Sequence, residues 1–260
     1  MSKKSIFALC LILCLYVIQE PVSATFSIDQ DKKDLVNEMK EQIGSLNPST
    51  SFTFVDLKFS DIENSFLDQI KVNEQGEYSK LGNLEVLSEE LLSYLRALGN
   101  EDEDVVHGVA RIISRIVKSV VKASGKETAW VAVRASVPNS YFDIPRWHQD
   151  GYFYSPYEGF AYKFATVFKG ASTLFYPLPD ELSIEFQNHL DDRKFLSELL
   201  DPLYIQKAPL RAGTFFIVGD QEAAAVHSEP SMHEPRLFLS VLPGNQDEIQ
   251  ELYTRWHREE

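Results

Sequence analysis

Apolar residues first recur along the chain at helical spacing. Leu35, Met39, Ile43 and Leu46 fall on one helix face, and the stretch Leu84–Leu98 repeats the pattern. The clearest helix comes next. Val105, Val109, Ile112, Ile116 and Val120 mark one stripe, widened by Val106, Ile113 and Val117. Arg111, Arg115, Lys118 and Lys122 lie on another face and read as a solvated side. Asn100 with Glu103 three residues on has the form of a capping box, and Gly125 is a natural stop. Residues 31–125 are therefore predicted to be mostly helical.

After Gly125 the spacing changes. Thr128–Val137, the segment around Phe164–Phe168 and the run Leu174–Tyr176 read as strands. Asp180–Leu200 interrupts with an acidic, amphipathic helical stretch. Strands return at Thr214–Val218, near Ala223–Val226 and at Leu237–Leu242, and Gln246–Arg258 reads as a closing helix. Helices first, then a β-rich core with one helical insertion, predict an α+β protein: a jelly-roll-like barrel in a helical jacket.

The first 24 residues read as a secretory leader, with Lys3 and Lys4 before the apolar run Ile6–Ile18 and a small-residue site, Val22-Ser23-Ala24, before Thr25. This predicts a secreted or periplasmic protein with three parts: leader 1–24, helical region 25–125 and barrel 126–260. Both cysteines, Cys10 and Cys14, lie in the leader, so the mature chain would have no thiol chemistry, thiolate zinc site or iron–sulfur cluster. The whole chain carries a net charge of -14, and losing Lys3, Lys4 and Glu20 would make it one unit more negative. Such a surface repels phosphate backbones, so no nucleic-acid partner is expected, and no membrane association once the leader is cleaved.

Candidate chemistry is concentrated in His148 and Asp150 of RWHQDG and His227 of AAAVHSEP. Residues i and i+2 of a strand project to one side, so His148 and Asp150 can point together while Gln149 points away. Two imidazoles and a carboxylate suit Fe(II) or Mn(II), and less selectively zinc, with open positions for other ligands. Arg236 opens the apolar run RLFLSVL, and a guanidinium buried there needs a counter-charge. A structural acid or a dicarboxylate co-substrate would each supply it. Lys163 is an alternative carboxylate anchor, and His233 an alternative ligand. Tyr152, Phe153, Tyr154, Tyr157 and Phe160 follow the first ligand pair, where barrel or lid packing is the plainer reading and a substrate mouth the other. His107, His189 and His257 read as surface or packing residues. No G-x-S-x-G elbow, P-loop or H-E-x-x-H is present.

The pieces WHQDG, APLRAGTFFIVGD, VHSEP and EPRLFLSVLPG, within Arg146–Gly244, resemble the Fe(II)/2-oxoglutarate-dependent dioxygenase superfamily, and within it an uncharacterised bacterial branch. The resemblance implies a double-stranded β-helix core. It implies His148, Asp150 and His227 as iron ligands and Arg236 as the partner of the distal carboxylate of 2-oxoglutarate. The implied activity is hydroxylation of a small-molecule or protein substrate, with 2-oxoglutarate converted to succinate. A metal-dependent hydrolase or cupin-like enzyme would use similar ligands, and a non-catalytic jelly-roll binding module would use none.

Overall fold

In the computed structural model of the chain, the described residues are 22–82, 88–151, 161–219 and 223–256. Most of the expected leader, the first residues of the Leu84–Leu98 pattern, the aromatic run 152–160 and His257 lie outside them. Contacts divide the chain into residues 1–35 and 36–260. In the first unit the described residues belong to helix α1 (Val22–Ser45), which continues into the second. The expected cleavage position after Ala24 falls within α1. No described helix is long and apolar enough to cross a membrane.

Among the described residues, ten strands form two antiparallel sheets. In chain order they are β1 (Phe52–Val55), β2 (Gly76–Gly82), β3 (Thr128–Ser136), β4 (Arg146–His148), β5 (Ala161–Lys169), β6 (Leu174–Tyr176), β7 (Gln206–Lys207), β8 (Gly213–Val218), β9 (Val226–Glu229) and β10 (Arg236–Gly244). The larger sheet has the order β1-β8-β5-β10-β3-β2 and the smaller β4-β9-β6-β7. From β3 onward the pairing is nested: β3 with β10, β4 with β9, β5 with β8 and β6 with β7. A long hairpin rolled so that its arms pass between two sheets gives this order, which is that of a double-stranded β-helix, or jelly roll.

The stretch 31–125 is mostly helical, as expected, but it also contributes two strands, β1 and β2, that the spacing did not show. Each adds to one edge of the larger sheet, β1 on β8 and β2 on β3. Their sequences, FTFV and GEYSKLG, are too short or too polar to show alternation, and pairing with a formed sheet edge decides their state. The capping expectation at Asn100 fails. Asp102 caps the long helix α4 (Glu103–Ser124), its Oδ1 accepting from the Asp104 N–H at 2.9 Å. Asn100 is buried and bridges chain segments instead, accepting from the Lys71 N–H at 2.6 Å and donating to the Leu95 carbonyl at 2.8 Å. Gly125 ends α4 at φ 65, the left-handed conformation that glycine adopts without strain.

Helices cover the outside of both sheets. The apolar stripe of α4 is buried where the helix packs on β3 and β10, with α2 (Asp61–Gln69) and α3 (Glu89–Ala97) against it. Each such valine or isoleucine removed from water contributes roughly 1.5–3 kcal/mol. The acidic insertion forms two helices, α5 (Asp180–Asn188) and α6 (Arg193–Leu199), whose Phe186 and Leu196 pack on Trp147, Tyr176 and Val226 of the smaller sheet. α7 (Gln246–Trp256) closes the core through Ile249 and Leu252. Between the sheets lie Phe175, Phe216, Val218 and Leu242.

Candidate metal centre

β4 and β9 run side by side so that His148 stands opposite His227, with ring centroids 4.3 Å apart. Directly opposed antiparallel residues share a face of the sheet. The chain turns after His148, and the Asp150 carbonyl accepts the Gly219 N–H at 3.0 Å. This returns the Asp150 carboxylate to the two rings: Oδ1 lies 3.7 Å from His148 Nε2, and Oδ2 lies 3.8 Å from His227 Nε2. One potential ligand atom from each residue lies within 4.8 Å of the others, so the three form a group that could hold a metal ion.

The donor chemistry fits that role. His148 Nδ1 lies 2.8 Å from the Arg146 carbonyl and His227 Nδ1 lies 3.0 Å from the Ala225 carbonyl. A carbonyl only accepts, so both Nδ1 atoms carry a proton and Nε2 is the ring nitrogen that each histidine turns toward Asp150. Burial lowers the His227 pKa to about 4, so its imidazole is neutral at pH 7. For Asp150, burial works to raise the carboxyl, but the Lys163 ammonium, 2.9 Å from Oδ2, together with His227 and His148, outweighs it and holds the group well below the usual carboxylate range. Two imidazoles and an ionised carboxylate suit Fe(II) or Mn(II). His227 packs against Phe216, at 4.8 Å between ring centroids, and Phe175, at 5.9 Å. His233 is exposed and outside the group. His107 sits beside Glu103, and His189 stacks on Phe195.

Gln149 turns away from the ligands and ties them together from behind. Its amide donates to the Ala224 carbonyl at 2.5 Å and its oxygen accepts from Gln187 on α5. The two ligand-bearing segments are thereby joined to each other and to the insertion.

A cavity of about 190 Å³ opens on the triad. Ala165, which lines it, stands in register with Ala132, Ser240 and Thr214 across β3, β10, β5 and β8, a row of small side chains. Arg236 lines the same cavity and is buried. Its Nε donates to the Ala171 carbonyl at 2.9 Å and its Nη2 to Thr173 Oγ1 at 3.0 Å, and it stacks over Phe238. Among the described residues no carboxylate forms an ion pair with it. Burial lowers its pKa to about 10, which still leaves it charged at neutral pH. Lys163 also lines this cavity, where it engages Asp150.

Sequence reasoning missed Arg146 and Glu229. They sit two residues from His148 and His227 on the same strands and are paired bidentately at 3.0 and 3.1 Å beside the triad. Burial would raise the Glu229 pKa, but Arg146 brings it down to about 2. The i±2 spacing from each ligand was the available signal. Asn139 caps a short turn and does not line the cavity, nor does Ser140.

No protein-family model and no curated protein matches this chain. Solved structures are similar at low identity. A prolyl hydroxylase from Trichoplax adhaerens, in complex with a hypoxia-inducible-factor peptide fragment, is 11% identical with a TM-score of 0.40, over 90% of this chain and 97% of that one. A prolyl-4-hydroxylase from Pseudomonas putida is 9% identical with a TM-score of 0.37, over 81% and 98%. SnoN, a non-heme α-ketoglutarate-dependent epimerase from nogalamycin biosynthesis, is 15% identical with a TM-score of 0.41, over 84% and 82%. The strand order of this chain, rather than those distant likenesses, makes its core a double-stranded β-helix, with His148 and His227 on the smaller sheet and Asp150 just beyond β4.

Proposed function

We propose that the protein is an Fe(II)- and 2-oxoglutarate-dependent oxygenase, a hydroxylase of a small-molecule or protein substrate. One observation carries this reading: the triad shares its cavity with a buried guanidinium that has no carboxylate partner among the described residues. A metal-binding hydrolase would need the triad but not the guanidinium.

Bound at the triad, Fe(II) supplies O₂ activation coupled to decarboxylation of 2-oxoglutarate. His148, Asp150 and His227 would hold the ion from one side and leave other positions to ligands. Their Nδ1–H bonds to main-chain carbonyls keep both rings oriented before any metal arrives. Lys163 helps to keep Asp150 ionised. Arg236 would take the distal carboxylate of the co-substrate through two parallel hydrogen bonds, which supplies its missing counter-charge. Phe175 and Phe216 keep water from one side of His227. The leader expected in residues 1–24 would place this activity outside the cytoplasm, which N-terminal sequencing of exported protein tests.

The enzyme should form succinate from 2-oxoglutarate only with Fe(II) and O₂, and His227→Ala should abolish this. Tightly held zinc together with indifference to 2-oxoglutarate would overturn the proposal in favour of a hydrolase.

A further inference from the structure

The charges around the cavity do not balance, and the imbalance points to the substrate. Among the described residues, Arg134, Arg146, Lys163 and Arg236 line it against two carboxylates, Asp150 and Glu229, although the chain as a whole is strongly acidic. Glu229 matches Arg146, and Asp150 matches Lys163. On the oxygenase reading, the co-substrate's distal carboxylate matches Arg236. That leaves Arg134.

Arg134 does have an acid nearby, but a weakly held one. Its Nε lies 2.9 Å from Glu77 Oε2, on the edge strand β2, and both side chains are 41% exposed. Glu77 does not line the cavity. Exposed pairs of this kind contribute little, so a ligand can compete for the guanidinium. Among the described residues, nothing else hydrogen-bonds its two terminal nitrogens. Arg134 stands directly opposite Phe238, and Arg236 is one step further along β10 on the same face. Trp130 lies on that face too, its indole held by a 2.7 Å hydrogen bond to Ser79. The guanidinium thus stands at the edge of the cavity between Trp130 and Phe238, both of which line it.

We propose that the substrate carries an acidic group, a carboxylate or a phosphate, which Arg134 binds while Trp130 and Phe238 pack the carbon skeleton beside it. This rests on the oxygenase reading, because that reading assigns Arg236 to the co-substrate. Glu77 then serves as a stand-in anion that holds the guanidinium in place until substrate displaces it.

The test is calorimetric titration of protein loaded with Mn(II) and 2-oxoglutarate. The probes are 3-phenylpropionate, 2-phenylethyl phosphate and the neutral 3-phenylpropanamide. One of the anions should bind about tenfold or more tightly than the amide, as expected for a charged hydrogen-bonded contact. Which anion wins identifies the group. Arg134→Gln should remove the preference, Arg134→Lys should keep part of it, and Arg134→Gln should leave the Kd for 2-oxoglutarate unchanged. Circular dichroism checks that both variants fold. Anions that bind no better than the amide, or a preference that survives Arg134→Gln, would overturn the proposal. So would a loss of 2-oxoglutarate affinity in Arg134→Gln as large as that in Arg236→Leu, because Arg134 would then belong to the co-substrate site. Failure of the oxygenase reading looks different: 2-oxoglutarate itself would not bind the Mn(II) protein.

Discussion

Gly170→Ala should damage both the fold and the co-substrate site. Gly170 follows β5 at φ 85, and an added Cβ would collide with the Pro235 carbonyl oxygen and come within 2.9 Å of Arg236 Cα. A left-handed conformation costs a non-glycine residue about 1–2 kcal/mol. Forcing a methyl group into a filled site adds about 1–3 kcal/mol. A total near 2–5 kcal/mol, divided by a urea m-value of about 2–3 kcal/mol/M, lowers the denaturation midpoint by roughly 1–2 M. The turn after Gly170 also delivers the Ala171 carbonyl and the Thr173 hydroxyl to Arg236, so affinity for 2-oxoglutarate should weaken as well. Equilibrium urea unfolding and titration of the Mn(II) protein measure the two effects. Gly44→Ala is the matched control. A Cβ there meets nothing within 4 Å, and alanine in place of helical glycine should stabilise by roughly 0.5–1 kcal/mol. If Gly170→Ala leaves the midpoint unchanged, the close approach of Pro235 to this turn is refuted.

Other consequences are open to measurement. Arg236→Leu should weaken 2-oxoglutarate binding by about 10- to 100-fold, the range for a hydrogen bond to a charged group, while metal stoichiometry stays the same. Gln149→Ala should lower metal affinity by about tenfold, because the strut between the ligand segments is lost; titration with Mn(II) followed by electron paramagnetic resonance reads this directly. The metal-free protein should lose stability as pH falls from 6.5 toward 4. His227 takes up a proton at 6.5 when unfolded but only at about 4 when folded, so the unfolded state binds more protons throughout that window. The full difference is on the order of 3 kcal/mol, and His227→Gln should flatten the dependence in urea titrations across that range.

Much of the barrel was legible because its strands are buried on both faces. TAWVAVRAS, GTFFIV and RLFLSVLPG are apolar runs that stand out at any register. Parts that depend on tertiary pairing were not. β1, β2, β4 and β7 are too short or too polar to stand out, and they form because an existing strand offers hydrogen bonds. The run Ala223–Val226 read as a strand ending before His227, whereas β9 begins at Val226 and carries His227 inside it. Its alanines are buried by packing, not by strand pairing. Asn100 drew a cap reading from its spacing to Glu103, but its side chain serves a contact 29 residues away, which local pattern cannot show. The triad was legible as residue types and spacing. The Arg146–Glu229 pair became visible only when β4 and β9 were in register.

The central claim is that His148, Asp150 and His227 hold Fe(II) with 2-oxoglutarate beside it. Mixing the purified protein anaerobically with Fe(II) and 2-oxoglutarate should produce a weak visible charge-transfer band. His148→Ala and His227→Ala should abolish it, and Arg236→Leu should require far more 2-oxoglutarate to reach it. A folded wild-type protein that shows no band and no affinity for 2-oxoglutarate would contradict the account.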